Sequence, residues 1–474
     1  MERRRARAIF TNDAECDDMN SFLHLLLYAN DVDIEGLVLS SSIFHYAGDP
    51  ERGIESKRWA GGDWMWEYLD AYERVWKNLV VHDPSYPSPD ALRAVTCIGN
   101  VKRTGEMDAD SEGSELVRKA ILREDERPVW LLAGGGTNTI GRALRHIEEE
   151  WRDTPHWDEV YARVCRQTRI YMIVTQDDSY RDYISTVWPD IPLLHCTNIM
   201  GIAFVFNEAF DPADALHVFS GDWVKPQLLD QGPLLSHYHT WFDGHVYPGE
   251  QDRSQFGSNL SMEGGNWWGK EVTHRYDMIS EGDSPSFLHL IDKGLRSLED
   301  PSFGGWGGRF ERNDRNEFNP RADYWQSATD EDQGPTKGDS LQLTRWVHDW
   351  MNDFASRAHW CVAERYEDAN HAPEVSLRQG LDLAVRPGEL LRLDAEATDP
   401  DGDALDFEWF DYPEAGSCPS RPKVEAEGHS AQVTVPTDAK PGQTLHVIVR
   451  VRDDADGSRP TYMVSYARAV LTVA

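Results

Sequence analysis

Apolar residues in the first two thirds of the chain come in short blocks, separated by stretches whose apolar positions recur at helical spacing. Arg7 to Thr11 reads as a strand and Asp17 to Asn30 as a helix. Ile34 to Ser41, with Leu37, Val38 and Leu39, reads as a buried strand. Val129 to Ala133 is another, followed by Gly134-Gly135-Gly136 and a helix from Thr137 to Trp151. Ile170 to Thr175 and Pro192 to Cys196 continue the series. Short apolar strands alternating with helices predict an α/β fold, a mainly parallel sheet with helices on both faces. Functional groups of such sheets gather at the carboxyl ends of the strands. Asp13, Ser40 to Ser42 and Gly134 to Asn138 fall at such ends.

The pattern then loosens. Residues 240 to 275 carry Trp, His, Gly and Asp without a period, and Gly304-Gly305-Trp306-Gly307-Gly308 is a second irregular stretch. Long loops of this kind are usually functional or disordered. Leu341 to Ala363 reads as one helix, with Leu343, Trp346, Val347, Trp350 and Met351 on its apolar side. At Asn370-His371-Ala372-Pro373 the character changes to short alternating strands, among them Asp406 to Phe410, Ala431 to Val435 and Leu445 to Val451. Turns at Asp399 to Gly402 and Asp454 to Gly457 separate them. A segment of roughly 100 residues with this pattern predicts an immunoglobulin-like β-sandwich. The expected division is therefore 1–369 for the α/β domain and 370–474 for the sandwich. The Asp-rich turns read as ordinary turn chemistry, with calcium binding the sharper alternative.

Composition narrows the choices. The formal net charge is -35, which argues against a phosphate-backbone partner. No apolar run reaches the length of a membrane span. The basic start meets Asn12-Asp13 directly after Ala8-Ile9-Phe10, without an apolar segment of signal-peptide length. As written the chain reads as cytoplasmic, and as secreted or periplasmic if a native start was trimmed. The cysteines at 16, 97, 165, 196, 361 and 418 are spread out, which suits reduced thiols. The 18 tryptophans suit either a core or stacking on sugar faces.

The densest chemistry lies in Asp13-Ala-Glu-Cys-Asp17-Asp18, at the turn from the first strand into the first helix. Carboxylates packed this tightly repel, and burying them unpaired is costly. A hard cation such as Ca²⁺ collects oxygen ligands and removes the conflict. The plainer reading is a helix N-terminus that favours acidic residues.

Asp13-x-x-x-Asp17-Asp18 after a first strand resembles the Asp-x-Asp-x-x-x-Asp-Asp signature of the calcium-dependent nucleoside hydrolases. Gly136-Thr137-Asn138 is similar to their second metal segment, and Gly282-Asp283-Ser284-Pro285 to their late His-Asp-Pro segment. Asp110 to Ser114, Gly232 to Leu234, Glu281 to Ser286 and Gly304 to Gly308 look like the Sde182-type branch. That branch joins a nucleoside-hydrolase-like domain to a C-terminal sandwich and carries a cellulose-binding label. The resemblance implies that Asp13 is a calcium ligand and the general base on water. It implies that Asp17, Asp18 and Asp283 ligate through carboxylates, Asp18 also holding a sugar hydroxyl, and that Thr137 ligates through its carbonyl. Beside a cation water loses a proton more readily, and a carboxylate takes it.

Two departures stand out. The family's first Asp is Thr11 here, and the His before its late Asp is Gly282. His237, His239, His245 and His274 are candidate substitutes for that His, or else ordinary surface or core histidines. Asn138 and Asn207 are candidate substrate contacts, with a loop or capping role as the alternative for Asn207. Trp267, Trp268 and Trp306 are expected either to wall a substrate or to anchor their loops. The expected function is Ca²⁺-dependent hydrolysis of a glycosyl bond in an N-ribosyl compound or related small glycoside. The rival is a non-catalytic carbohydrate-binding protein with a structural metal. Either reading implies a small glycoside or carbohydrate partner, no nucleic acid and no membrane, with a homo-oligomer left open.

Overall fold

The computed structural model describes residues 5–203, 217–249, 266–267, 270–271, 275–330 and 341–474. Eight strands form the first sheet: β1 (Ala6–Asn12), β2 (Val32–Leu39), β3 (Thr96–Ile98), β4 (Val129–Ala133), β5 (Thr168–Ile173), β6 (Leu193–Cys196), β9 (Phe310–Arg312) and β10 (Tyr324–Ser327). Their order is β3-β2-β1-β4-β5-β6-β10-β9. All neighbours pair in parallel except the edge strand β9, which runs antiparallel to β10. A small two-stranded pair, β7 (Asn266–Trp267) with β8 (Lys270–Glu271), stands apart.

Period-2 alternation divides each parallel strand between two cores. Ala8, Phe10, Leu37, Leu39, Trp130, Leu132, Tyr171 and Ile173 face one core, which the Cys16–Leu26, Trp64–His82 and Val347–Trp360 helices complete. Ile9, Val38, Val129, Leu131, Ile170 and Met172 face the other, covered by the Glu112–Leu122, Asn138–Trp151 and Trp157–Gln167 helices. A sheet buried on both faces must be apolar at consecutive positions, which is how β4 reads in the sequence.

The expected single helix over Leu341 to Ala363 is two helices, Leu341–Thr344 and Val347–Trp360. Arg345 and Trp346 form the break. Trp346 turns toward Phe410, Tyr412 and Tyr466, so contact with the C-terminal strands replaces continuous helix there.

The C-terminal strands are β11 (Glu374–Leu377), β12 (Asp382–Val385), β13 (Leu390–Thr398), β14 (Asp406–Asp411), β15 (Lys423–Glu427), β16 (Ser430–Thr434), β17 (Thr444–Arg452) and β18 (Val464–Val473). They make a sandwich of two four-stranded sheets, β11-β13-β16-β15 and β12-β18-β17-β14. Leu445, Val447, Val449, Val451, Ala467, Ala469 and Leu471 point into the sandwich core. Ile448, Val464 and Tyr466, on the opposite face of the same strands, join the core of the α/β domain. Polar contacts reinforce this seam. The Tyr466 hydroxyl donates to Asp349, Arg468 donates to the Phe303 and Gly304 carbonyls, and Trp306 Nε1 donates to Tyr466 Oη at 3.2 Å.

Candidate metal centre

Strand β1 ends at Asn12, and the chain turns through Asp13 to Glu15 before the helix begins at Cys16. Asp13 stabilises that turn itself, its Oδ1 accepting the Glu15 N–H at 2.8 Å. The Asp13 N–H in turn donates to Asp18 Oδ1 at 3.0 Å, which holds the two carboxylates side by side. Asp17 and Asp18 occupy the first helical turn, where the helix dipole favours negative charge. Asp283 arrives from a distant part of the chain, at the start of the short Ser284–Leu288 helix. Oxygens of Asp17, Asp18 and Asp283 lie within 4.8 Å of one another, and a second such group joins Asp13, Glu15 and His45.

The cluster is deeply placed. Asp13, Asp18 and Asp283 are 0, 2 and 3 % exposed, while Asp17 retains partial access to solvent. Asp13 Oδ2 and Asp283 Oδ1 are buried without a hydrogen-bond partner. The glycine turn after β4 is shaped around these acids: a Cβ on Gly134 would stand 2.8 Å from Asp18 Oδ1 and 3.1 Å from Asp283 Oδ1.

Electrostatics divide the four acids. Burial opposes ionisation of Asp13, but His45, with Nδ1 3.6 Å from Asp13 Oδ1, and nearby hydrogen bonds hold its pKa below the usual carboxylate value. Asp17, Asp18 and Asp283 are all pushed well above it. Burial is the main cause, and the charges of the neighbouring acids add to it: Glu15 and Asp13 on Asp17, Asp13 and Asp283 on Asp18, Asp17 and Asp13 on Asp283. An all-oxygen donor set with orphaned buried carboxylate oxygens fits a hard divalent cation.

A pH-dependent response to cation follows. Carboxyls raised by folding stabilise the cation-free fold below the ordinary carboxylate range near pH 4, and that contribution is lost as pH rises through their raised values. The lowered Asp13 acts with opposite sign and offsets part of the loss. After chelation, adding Ca²⁺ should raise Tm little at about pH 4.5 and substantially at about pH 7.5. Scanning calorimetry across that range checks it; an increment independent of pH would mean the cation does not engage these carboxyls.

The other expected positions distribute unevenly. Thr137 directs its hydroxyl to Asp177 at 3.1 Å, and its carbonyl accepts the Gly141 N–H at 2.8 Å. Asn138 is spent on scaffolding: its Oδ1 accepts from Ser40 Oγ, and its Nδ2 donates to Ser41 Oγ and the Asn100 carbonyl. That commitment opposes its expected role as a substrate contact. Ser42 Oγ accepts the His45 N–H at 3.1 Å and so helps set the residue beside Asp13. Trp306 is 1 % exposed in the seam with the sandwich, where it anchors its loop instead of presenting a stacking wall. Asn207, Trp268 and His274 lie outside the described residues, and Trp267 is described only as backbone of β7.

Gly282 holds the position of the expected histidine. A Cβ there would fall well inside contact distance of Asp17 Oδ2, so the Asp17 carboxylate fills the space that a side chain at 282 would use. Of the substitute histidines, His239 and His245 stack with centroids 3.6 Å apart, and His239 Nδ1 lies 2.7 Å from Asp243 Oδ2. They line an open cleft of about 430 Å³ with Tyr238, Arg275 and Tyr276. Asn20, on the Cys16–Leu26 helix, fastens this segment by donating to the His239 carbonyl at 2.9 Å. His237 packs on Tyr68.

Sequence reasoning passed over Glu15, His45, Asp177 and Glu281. Glu15 sits between Asp13 and Asp17 and had a signal in its position. Glu281, two residues before Asp283, is fully buried, with His24 Nδ1 3.0 Å away and donors from Tyr238 and Ser284. Asp177 accepts the Asn138 N–H at 3.0 Å and the Ser179 N–H at 2.9 Å, bracing the glycine turn.

Comparison with known proteins identifies the family and the fold. The family described as "Cellulose-binding Sde182, nucleoside hydrolase-like domain" matches residues 7–310. "Cellulose-binding protein Sde0182, C-terminal domain" matches residues 390–473. A solved structure of a nucleoside hydrolase-related hypothetical protein from Saccharophagus degradans, described as associated with carbohydrate metabolism, superimposes with a TM-score of 0.72. It is 22% identical, and the match covers 99% of this chain and 100% of that one. No curated protein matches the chain.

Proposed function

We propose, from the premise that the chain belongs to the cellulose-binding Sde182 family with its nucleoside hydrolase-like domain, that it is a carbohydrate-binding protein whose buried acidic cluster holds a divalent cation of calcium type. Asp13, Asp17, Asp18 and Asp283 would hold the ion, with the Thr137 carbonyl as a further oxygen donor. Bound there, the cation would supply positive charge and Lewis acidity toward sugar hydroxyls. The observation that carries the binding reading is the crowding at Gly282. Expelling a poor leaving group requires a proton donor within hydrogen-bond reach. At 282 no side chain exists to donate, and the Asp17 carboxylate occupies the space.

The test is retention by insoluble cellulose and titration with β-1,4-gluco-oligosaccharides, each with Ca²⁺ and after chelation. The reading expects co-sedimentation with cellulose and a measurable oligosaccharide affinity. Absence of both in Ca²⁺ would end it.

A second reading, hydrolysis of a small glycoside or N-ribosyl compound, rests on Asp13. A fully buried carboxylate held ionised by His45, with an unpartnered Oδ2, has the properties of a general base. This reading expects release of p-nitrophenol from activated glycosides in Ca²⁺, with Asp13→Ala slower by about 10²–10⁴-fold. With no donor at 282, inosine and uridine should be cleaved weakly or not at all. Efficient turnover of those nucleosides by the unmodified chain would favour hydrolysis over binding.

A further inference from the structure

A second acidic group lies at the passage from the α/β domain into the sandwich. Asp399-Pro-Asp401-Gly-Asp403 forms the turn after β13, and oxygens of its three carboxylates lie within 4.8 Å of one another. The spacing of acids at alternate positions is that of the first part of a calcium-binding loop. The usual distal Glu of such a loop is absent, since the corresponding position is Phe410. Asp399 Oδ1 is used by the turn, accepting the Asp401 and Asp403 N–H groups at 2.9 and 3.0 Å. Its Oδ2 is buried and unpartnered.

Two other segments converge on the same place. Asp453, at the end of β17, is 2 % exposed and accepts from the Met463 N–H at 2.8 Å and from Asn370 Nδ2 at 3.0 Å. The His371 N–H, next in the chain to Asn370, donates to Asp401 Oδ2 at 2.7 Å and holds this segment against the turn. Asn370 is itself 5 % exposed, and its bond to Asp453 holds its amide against the group while Oδ1 has no partner. A buried amide oxygen without a donor is costly unless it meets a cation or a water.

Positive charge on hand is too little for four carboxylates. Arg459 Nε reaches Asp403 Oδ2 at 2.7 Å. His371 Nδ1 lies 2.9 Å from Asp401 Oδ1, and even with its ring charged the two cations would not balance four carboxylates.

We propose that Asp399, Asp401, Asp403 and Asp453, together with Asn370 Oδ1, form a second site for a divalent cation, selective for calcium by its oxygen-only donors. The site is separate from the Asp13 cluster and does not depend on the carbohydrate reading. Because Asn370 opens the sandwich and His371 Nε2 lies 3.0 Å from His82 Nδ1 on the Trp64–His82 helix, the ion would pin the sandwich's entry to the α/β domain.

Equilibrium dialysis and calorimetric titration of the chelator-stripped full chain with Ca²⁺ test this. Asp283→Asn removes the first cluster's claim, and Asp399→Asn keeps the turn's acceptor while deleting a ligand charge. The proposal expects Asp283→Asn still to bind one ion per chain, and Asp399→Asn to weaken that class of site at least tenfold. Failure of the first cluster alone would appear as one ion in the unmodified chain, unaffected by Asp283→Asn and weakened by Asp399→Asn. Asp283→Asn binding no Ca²⁺, or Asp399→Asn binding as the unmodified chain does, overturns it. Should Asp399→Asn lose its native circular dichroism, Asn370→Ala in the Asp283→Asn background is read the same way.

Discussion

Asp283→Ala is expected to lower the affinity of the buried cluster for a divalent cation by at least about a hundredfold, roughly 2.7 kcal/mol. Asp283 joins Asp17 and Asp18 from a distant part of the chain, and its Oδ1 has no other partner. The same substitution should leave the cation-free protein no less stable, because it removes one of the mutually repelling carboxyls that burial already penalises. That combination separates a ligand from a structural residue, whose loss would lower both quantities. Calorimetric titration and melting after chelation give the two readings; unchanged affinity would remove Asp283 from the site. Gly134→Ala should weaken binding as well, since its Cβ would crowd Asp18 and Asp283.

The largest loss of stability is expected from Asp353→Ala, at about 3–5 kcal/mol. Asp353 is fully buried and bridges Lys293 at 2.8 Å and Arg357 at 3.0 Å, while accepting from Tyr28 Oη at 2.6 Å. Arg357 keeps Asp31 at 2.6 Å, but Lys293, also buried, loses its counter-ion. Burial already lowers the Lys293 pKa with Asp353 in place. Denaturant unfolding measures the effect, and Lys293→Met added to Asp353→Ala should recover part of it. A loss below about 1 kcal/mol would show that the network is dispensable.

The central strands were legible because burial on both faces demands apolar runs, as in Val129 to Ala133. The acidic turn was legible because like charges so close together require a reason. The strands Phe310–Arg312 and Tyr324–Ser327 were not, since short, half-polar segments near the end of a sheet lack that signature. Trp306 stayed ambiguous because a glycine-rich neighbourhood suits a loop at a ligand as well as an anchor. In the fold Gly304 lets the chain pass close to Tyr412 of the sandwich and Gly307 close to the backbone of Pro285 and His289. His45 and Asp177 were invisible because their partners, Asp13 and Asn138, are brought to them only by the fold. The break at Arg345 and Trp346 likewise depends on aromatic neighbours from the C-terminal strands.

The β17–β18 sheet, apolar on both sides, has a consequence for how the molecule comes apart. Ile448, Val464 and Tyr466 belong to the α/β core while their immediate neighbours belong to the sandwich core. Neither half can melt without stripping one face of that shared sheet. Heat should therefore reach a single cooperative transition, and a protease that cuts near residue 370 would leave two fragments still clasped together.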